Sequence, residues 1–266
     1  MTKNEDLKKA AALEKEAAVL LKEKKINEAF EAYQETAHIY QLHDEPLKAA
    51  LCFASAASCW HIRSGHQPLR VTASCSEQAA HEAMKAKAYD YARWLYREAA
   101  MFYEQEGDDE RYSACFFNAQ EALQKSLWAT FLSGKKKEES TEGSIPVLWN
   151  QRVLAFFKGL MGLTSRFLWG YGERPMRTLA AAFFVIVFSA FLYKISGHIR
   201  AEDMLRPINF GEALYFSMVT FATVGYGDYL PMGWARIVAV LEGMSGIFLT
   251  PLFLVALTRR YLRLYH

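Results

Sequence analysis

Two long apolar stretches near the end of the chain constrain its fold more than any other feature. The first covers residues 179–196 and the second covers residues 236–257. At about 1.5 Å of helical rise per residue, each comes close to the roughly 30 Å hydrocarbon core of a bilayer. A backbone in lipid must satisfy its own hydrogen bonds, and an α-helix does so within one segment. The sequence therefore predicts two transmembrane helices.

The segment between these helices contains a helix start. Asn209 is followed three residues later by Glu212, a spacing typical of a capping box. We expect a helix over residues 210–222, which is too short to cross a bilayer and must therefore be re-entrant and surrounded by protein. Its carbonyl end, which carries roughly half a negative charge, would favour a cation beside it.

The re-entrant helix leads into residues 223–228, which read T-V-G-Y-G-D. A backbone that removes water from an ion must supply oxygens in its place. Successive carbonyls that point one way require alternate residues in backbone regions that glycine adopts most readily. The oxygens would come from five residues: Thr223, Val224, Gly225, Tyr226 and Gly227.

Span, pore helix, filter and span occur here in the order of the two-transmembrane potassium channels of bacteria, and residues 178–262 resemble the pore domain of that family. The resemblance implies a homotetramer that conducts K⁺ passively across the plasma membrane, with K⁺ as permeant ligand and no cofactor. It implies K⁺ coordination by Thr223, Val224, Gly225 and Tyr226. The residues expected to support the filter are Asp228, Tyr215, Phe216, Thr220, Trp234 and Glu242.

One position departs from the pattern of that family. Val219 stands where several bacterial relatives have a glutamate that pairs with the aspartate after G-Y-G. Asp228 therefore needs another partner, for which Trp234 and a water molecule are candidates.

Glu242 lies inside the second span, where a carboxylate costs roughly 2.5–3.5 kcal/mol near the centre. Two interpretations remain open. Glu242 either hydrogen-bonds the back of the pore helix and replaces the missing brace, or it is a partly hydrated carboxylate near the outer interface.

The second span also contains candidate bending points. Gly246 aligns with the hinge glycine of the inner helix in the resembled family, and Gly243 and Pro251 offer two further places to bend. Close packing of the glycines against the outer helix is the alternative interpretation. Helical spacing from Gly246 assigns four residues to the cavity lining: Ile247, Thr250, Leu254 and Thr258.

Residues 1–132 are polar and have helical periodicity throughout, which predicts about six antiparallel helices. A shift of 63 positions aligns Tyr40 with Tyr103 and Cys52 with Cys115, among other pairs. This half loosely resembles tetratricopeptide and NSF-attachment-protein arrays, and a generic helical bundle is the alternative. The surface of such an array is suited to a peptide or protein partner.

The two halves are joined by a polar linker, residues 133–145, and by an amphipathic basic stretch, residues 146–177. We expect the second stretch to be an interfacial slide helix that contacts anionic lipid headgroups. Its Gly170–Gly172 repeats G-Y-G but lies before the first span, so we reject it as a filter. Basic residues flank both ends of the membrane unit, which predicts a multi-pass protein with both termini in the cytoplasm.

The remaining composition narrows the function. The N-terminus has no apolar core, so we expect no signal peptide. The net charge is only +2 and basic residues do not alternate with aromatic ones, which argues against a nucleic-acid-binding protein. The sequence contains no cluster of a nucleophile and a base, so we do not expect an enzyme. We expect four buried free thiols, at Cys52, Cys59, Cys75 and Cys115. A metal set would consist of Cys59, His61, His66 and Cys75, but its spacing fits no zinc pattern.

The predicted fold is all-α, with a two-helix membrane pore domain containing a re-entrant helix and filter loop, and an N-terminal antiparallel helical-repeat domain. The predicted function is that of a K⁺-selective channel, with regulation by the N-terminal domain. The competing hypothesis is a membrane-anchored helical-repeat scaffold whose pore conducts poorly or selects weakly. Ion flux distinguishes the two.

Overall fold

The computed structural model describes residues 3–64, 69–133, 135–137, 144–146, 148–197, 199–201, 204–205 and 208–263. The chain divides into two compact units, Met1–Leu163 and Thr164–Tyr265. The described part is overwhelmingly helical, with repeated antiparallel helix packing in the first unit, and this confirms the all-α fold class.

Six antiparallel helices with short turns make up most of the first unit. They are α1 (Lys3–Lys22), α2 (Ile26–Leu42), α3 (Pro46–Ser64), α4 (Arg70–Lys85), α5 (Tyr89–Gln105) and α6 (Asp109–Ser133). Local sequence explains several of their ends. Pro46 begins α3 at a position where a missing N–H costs nothing, and Glu5 and Asp6 lie in the first turn of α1, where the helix dipole favours negative charge.

The internal similarity is visible in the backbone. Lys24 and Lys87, which are 63 positions apart, both have a left-handed conformation, with φ of 63° and 58°. Asp44 and Gly107 are left-handed at the next pair of turns, with φ of 59° and 72°. The repeating unit is therefore three helices, α1–α3 and then α4–α6, whereas a tetratricopeptide repeat is a pair of helices.

Side-chain contacts repeat with the same shift. In each three-helix unit a tyrosine hydroxyl donates to a glutamate on the preceding helix, and a cation lies 5.5 Å from the tyrosine ring centroid. The two sets are Tyr40, Glu14 and Lys48, and Tyr103, Glu77 and Arg111. Between the helices, fully buried alanines let the backbones approach closely; equivalent pairs are Ala10 and Ala73, Ala17 and Ala80, Ala29 and Ala92, and Ala56 and Ala119.

All four cysteines are buried free thiols. Burial raises the pKa of the equivalent thiols of Cys52 and Cys115 to about 12. Within the described residues, no group of three histidine, cysteine or acidic side chains could hold a metal ion. His66 of the alternative metal set lies outside the described residues.

The end of the first unit is a helical hairpin. After α6, strand β1 (Lys135–Lys137) pairs antiparallel with β2 (Ser144–Pro146), with Lys136 opposite Ile145. Helix α7 (Trp149–Leu168) follows and contacts α6 along its first half. The boundary between the two units falls within α7.

The second unit contains the two apolar helices. A 3₁₀ turn at Gly170–Gly172 leads to α8 (Pro175–Ser196), then β3 (Ile199–Ala201), β4 (Met204–Leu205), α9 (Phe210–Phe221), β5 (Tyr229–Pro231) and α10 (Ala235–Arg263). The strands form one antiparallel sheet in the order β4–β3–β5, so the chain after α8 pairs with the chain that follows residue 228. Both α8 and α10 are long and apolar enough to cross a membrane.

Candidate functional site

The site is built around α9, whose start is fixed by a capping box. The Asn209 side chain accepts from the Glu212 amide at 2.9 Å, and the Glu212 carboxylate accepts from the Asn209 amide at 2.8 Å. Two otherwise unpaired backbone donors are thereby satisfied. Glu212 also lies 3.5 Å from the hydroxyl of Tyr229, which ties the start of α9 to strand β5.

The end of α9 is closed by the first two residues of the T-V-G-Y-G-D segment. The Thr223 amide donates to the Thr220 carbonyl and the Val224 amide donates to the Val219 carbonyl, both at 3.0 Å. Together with the left-handed conformation of Thr223, with φ of 57°, these bonds form a Schellman motif. Glycine usually occupies that position, and a β-branched residue there is a backbone outlier of the kind that concentrates at functional sites.

Left-handed backbone recurs at every second residue of the segment. Thr223, Gly225 and Gly227 have φ of 57°, 57° and 83°, while Val224 and Tyr226 do not have positive φ. Sequence reasoning anticipated the two glycines, and the structure adds Thr223 to the alternation. The side chains of Val224 and Tyr226 are exposed in the single chain, at 53% and 72%.

Two aromatic side chains of α9, Tyr215 and Phe216, pack against other aromatic residues of the second unit. The Asp228 carboxylate lies within electrostatic reach of the Tyr215 hydroxyl and accepts from the Tyr229 amide at 3.2 Å. The Tyr215 ring lies 5.9 Å from that of Tyr229, and the Phe216 ring lies 4.8 Å from that of Tyr193. Over the described residues, the ring contacts of Tyr215 and Phe216 are therefore with these two tyrosines and not with Tyr226.

Trp234, the other candidate partner of Asp228, is exposed and makes no hydrogen bond to it within the described part of the chain. Its backbone carbonyl accepts from Ile237 in the first turn of α10.

Glu242 lies in α10 with only 2% of its surface exposed. The Tyr193 hydroxyl of α8 donates to one carboxylate oxygen at 2.6 Å, and the Ser217 hydroxyl of α9 is hydrogen-bonded to the other. Ser189 of α8 lies close enough to interact electrostatically with the carboxylate. One carboxylate thus joins three helices, and hydroxyl partners meet the hydrogen-bonding demand that burial places on it.

The glycines of α10 bring it close to the end of α9. A Cβ at Gly246 would overlap the Phe221 carbonyl oxygen, whereas a Cβ at Gly243 would lie an ordinary 3.8 Å from the Thr220 carbonyl oxygen. Helix α10 runs unbroken through Gly246 and Pro251 to Arg263. Gly246 is therefore required for close approach to α9, whether or not it also bends.

The residues assigned to a cavity lie along the following part of α10 and are exposed in the single chain: Ile247, Thr250, Leu254 and Thr258. The Thr258 hydroxyl donates to the Leu254 carbonyl at 2.8 Å within the helix. Nothing in one chain covers this side of α10 over the described residues.

Residues 180–263 match the family model described as an ion channel. The match covers most of α8, all of α10 and everything between them, and it supports an ion channel in a membrane rather than an enzyme. No curated protein and no solved structure matches the chain.

Sequence reasoning missed the two hydrogen-bond partners of Glu242, Tyr193 and Ser217, and the nearby Ser189. Ser189 and Tyr193 are spaced four apart on one face of α8, and Ser217 lies on α9. Polar residues at helical spacing within an otherwise apolar span were the available signal, because such residues turn toward protein. Their common target, Glu242, could not be identified without the fold.

Proposed function

We propose that four copies of the chain surround a K⁺-selective pore, to which each contributes one strand of carbonyls from Thr223 to Gly227. The observation that carries this proposal is the alternation of left-handed backbone along that segment, which follows the short helix α9 and lies between the two apolar helices α8 and α10. Such alternation turns successive carbonyls toward one side, where they can replace the hydration shell of an ion. K⁺ would be held at Thr223, Val224, Gly225 and Tyr226.

Exposed apolar groups support the tetramer. Val224, Tyr226, Ile247 and Leu254 are each more than half exposed in a single chain. One carbonyl strand cannot encircle an ion, and these side chains need cover that neighbouring copies would supply. A fourfold arrangement would satisfy both requirements.

Glu242 has the role of a brace in this proposal. Its bonds to Tyr193 and Ser217 fix α9 between α8 and α10, and α9 leads directly into the segment that begins at Thr223. Near-complete burial favours this interpretation over a hydrated carboxylate at the interface. If Glu242→Gln left conductance, selectivity and tetramer stability unchanged, the brace would be the wrong interpretation.

The membrane arrangement extends the proposal. Both termini would lie in the cytoplasm, and α7 would lie on the inner leaflet. Phe157, Met161 and Phe167 are exposed on α7, and Lys158 and Arg166 add basic charge. That combination suits anionic lipid headgroups and the acyl boundary beneath them.

The test is ion flux through purified full-length protein in liposomes under opposed K⁺ and Na⁺ gradients. We expect a reversal potential that follows the K⁺ gradient and mass measurements that give four chains. A reversal potential insensitive to K⁺ would overturn the selectivity, and absence of flux at every voltage would favour the scaffold hypothesis.

The chain offers a matched pair of glycine variants for this test. Gly225 and Gly197 are both left-handed, with φ of 57° and 60°, and a Cβ at either would meet nothing within 4 Å in the chain. Gly225→Ala should abolish K⁺ selectivity because it strains the carbonyl strand. Gly197→Ala carries the same backbone strain at the end of α8, so it should cost only about 1 kcal/mol of stability and leave selectivity intact.

A further inference from the structure

Helix α6 holds α7 through a buried glutamine. Gln124 of α6 is 6% exposed, and its side-chain amide donates to the backbone carbonyl of Gly159 in the middle of α7. A carbonyl inside a helix ordinarily accepts only from the amide four residues later, so this is an additional bond between the two helices. The Gln124 side-chain oxygen lies directly against Gly162.

Further contacts extend this docking toward the end of α6. The Trp128 indole lies against Gly159, and the Phe131 and Phe156 rings are 5.2 Å apart. The Arg152 guanidinium donates twice to the Phe131 carbonyl, at 3.2 and 2.9 Å, in the last turns of α6, where a cation is favoured. The face of α7 that carries Gly159 and Gly162 is thus packed against α6.

The other end of α7 is bonded to the first candidate span. Helix α7 continues to Leu168, and the Arg177 guanidinium in the first turns of α8 donates to the Arg166 carbonyl at 3.2 Å. Contacts within the first unit therefore fix the first half of α7, and contacts within the second unit fix its end.

We propose that Gln124 is a positioning residue through which the helical array sets the activity of the channel. By holding α7 at Gly159 and Gly162, the array restrains the helix that leads into α8, and its binding or unbinding of a partner would act through this contact. The polar linker at 133–145 is then not the path of coupling, since a flexible chain transmits force poorly. The inference rests on the proposed channel function.

Two neighbouring glycines allow a controlled test in the full-length protein. A Cβ at position 162 would overlap the Gln124 side-chain oxygen, so that side chain must shift, whereas a Cβ at position 159 would lie an ordinary 3.4 Å from Trp128. Both substitutions raise intrinsic helix propensity by the same amount, about 1 kcal/mol. Gly162→Ala therefore displaces the Gln124 amide, Gln124→Ala removes it, and Gly159→Ala is the matched control.

Two measurements are made on each variant in liposomes: K⁺ flux per tetramer, and hydrogen exchange of the α7 amides. Gly162→Ala and Gln124→Ala should each lower α7 protection and change the flux by about 2- to 30-fold, while Gly159→Ala stays within about twofold of wild type. The double variant Gln124→Ala with Gly162→Ala should resemble either single variant, because both break one contact.

The outcomes separate the two proposals. A wild-type protein without flux would overturn the channel function and, with it, this inference. If wild type conducts and Gly162→Ala loses α7 protection without a change in flux, Gln124 has only a structural role and the inference is wrong while the channel function stands. Retention of α7 protection in Gln124→Ala, which removes the donor, would overturn the docking itself.

Discussion

A tyrosine hydroxyl donates to a glutamate carboxylate in both units of the chain, but the two carboxylates have different surroundings. In the helical array, Tyr103 donates to Glu77 at 2.8 Å, Glu77 is partly exposed, and Arg111 lies 3.7 Å from it. In the channel region, Tyr193 donates to Glu242 at 2.6 Å, and Glu242 is almost fully buried among hydroxyl groups. Water and a cation can replace a lost bond at Glu77, whereas nothing comparable reaches Glu242.

The two regions also differ in how many tyrosine–glutamate pairs they contain. The array contains its tyrosine–glutamate pair twice, 63 positions apart, so each three-helix unit carries its own. The channel region joins α8, α9 and α10 through the one carboxylate of Glu242. The array should therefore lose stability in small, separate steps, and the channel region in one large step.

The largest expected effect is that of Glu242→Ala. The substitution leaves a cavity and removes the acceptor of buried hydroxyls, so we expect a loss of about 3–5 kcal/mol. Glu77→Ala in the array is the control, with an expected loss of about 1 kcal/mol or less because its pair is partly exposed. Thermal unfolding of the full-length protein in detergent, with the assembly state followed by size-exclusion chromatography, measures both. Equal losses would contradict the comparison.

The features that could be predicted from the sequence are those formed by residues close together in the chain. The capping box and the bond from Tyr193 to Glu242 illustrate the difference. The capping box at Asn209 and Glu212 spans three residues, so its signal is present in the sequence itself. The bond from Tyr193 to Glu242 joins residues 49 positions apart, and nothing near either residue specifies the other. The 63-position repeat was visible because its two copies could be compared, although the unit of three helices was not.

The same limit applies to the T-V-G-Y-G-D segment and to α7. Glycines at 225 and 227 indicated left-handed backbone, whereas the left-handed Thr223 follows from its role in closing α9. The sequence of α7 predicted a slide helix with one apolar face. It did not show that Gln124 of α6 would bond to Gly159 in the middle of this helix. Tertiary packing decides such positions against local preference.

Gly246→Ala should have the next largest effect. A Cβ would overlap the Phe221 carbonyl oxygen, a backbone atom at the end of α9, so the backbone of α9 or α10 must shift. Overpacking of this kind costs about 1–3 kcal/mol, and under the proposed function we expect reduced K⁺ selectivity because α9 leads directly into the T-V-G-Y-G-D segment. Gly243→Ala, where the contact would be an ordinary 3.8 Å, is the matched control. The same measurements of unfolding and reversal potential apply, and a more severe effect at Gly243 would show that α10 packs differently.

Removing single hydroxyls sharpens the comparison without leaving a large cavity. Tyr193→Phe deprives a buried carboxylate of a donor and should cost about 1.5–3 kcal/mol, whereas Tyr103→Phe should cost about 0.5–1.5 kcal/mol. Tyr40→Phe should match Tyr103→Phe, since the two occupy equivalent positions. The two array substitutions remove bonds to different acceptors, Glu14 and Glu77, and should be additive within about 0.5 kcal/mol. Strong coupling between them would show that the two three-helix units do not act separately.

The smallest expected effect is a pH dependence confined to the array. Burial raises the pKa of the Cys52 and Cys115 thiols from 9.0 to about 12, so between these values the folded chain holds protons that the unfolded chain releases. Their contribution is complete below about pH 9 and declines as pH rises toward 12. From pH 7 to 9 the loss from the two thiols should be roughly 1 kcal/mol or less. Urea unfolding of full-length protein at both pH values measures the change, and the double variant Cys52→Ala with Cys115→Ala should lose stability less steeply over the same interval. If the variant lost stability with pH as steeply as the wild type, folding would not be what keeps these two thiols protonated.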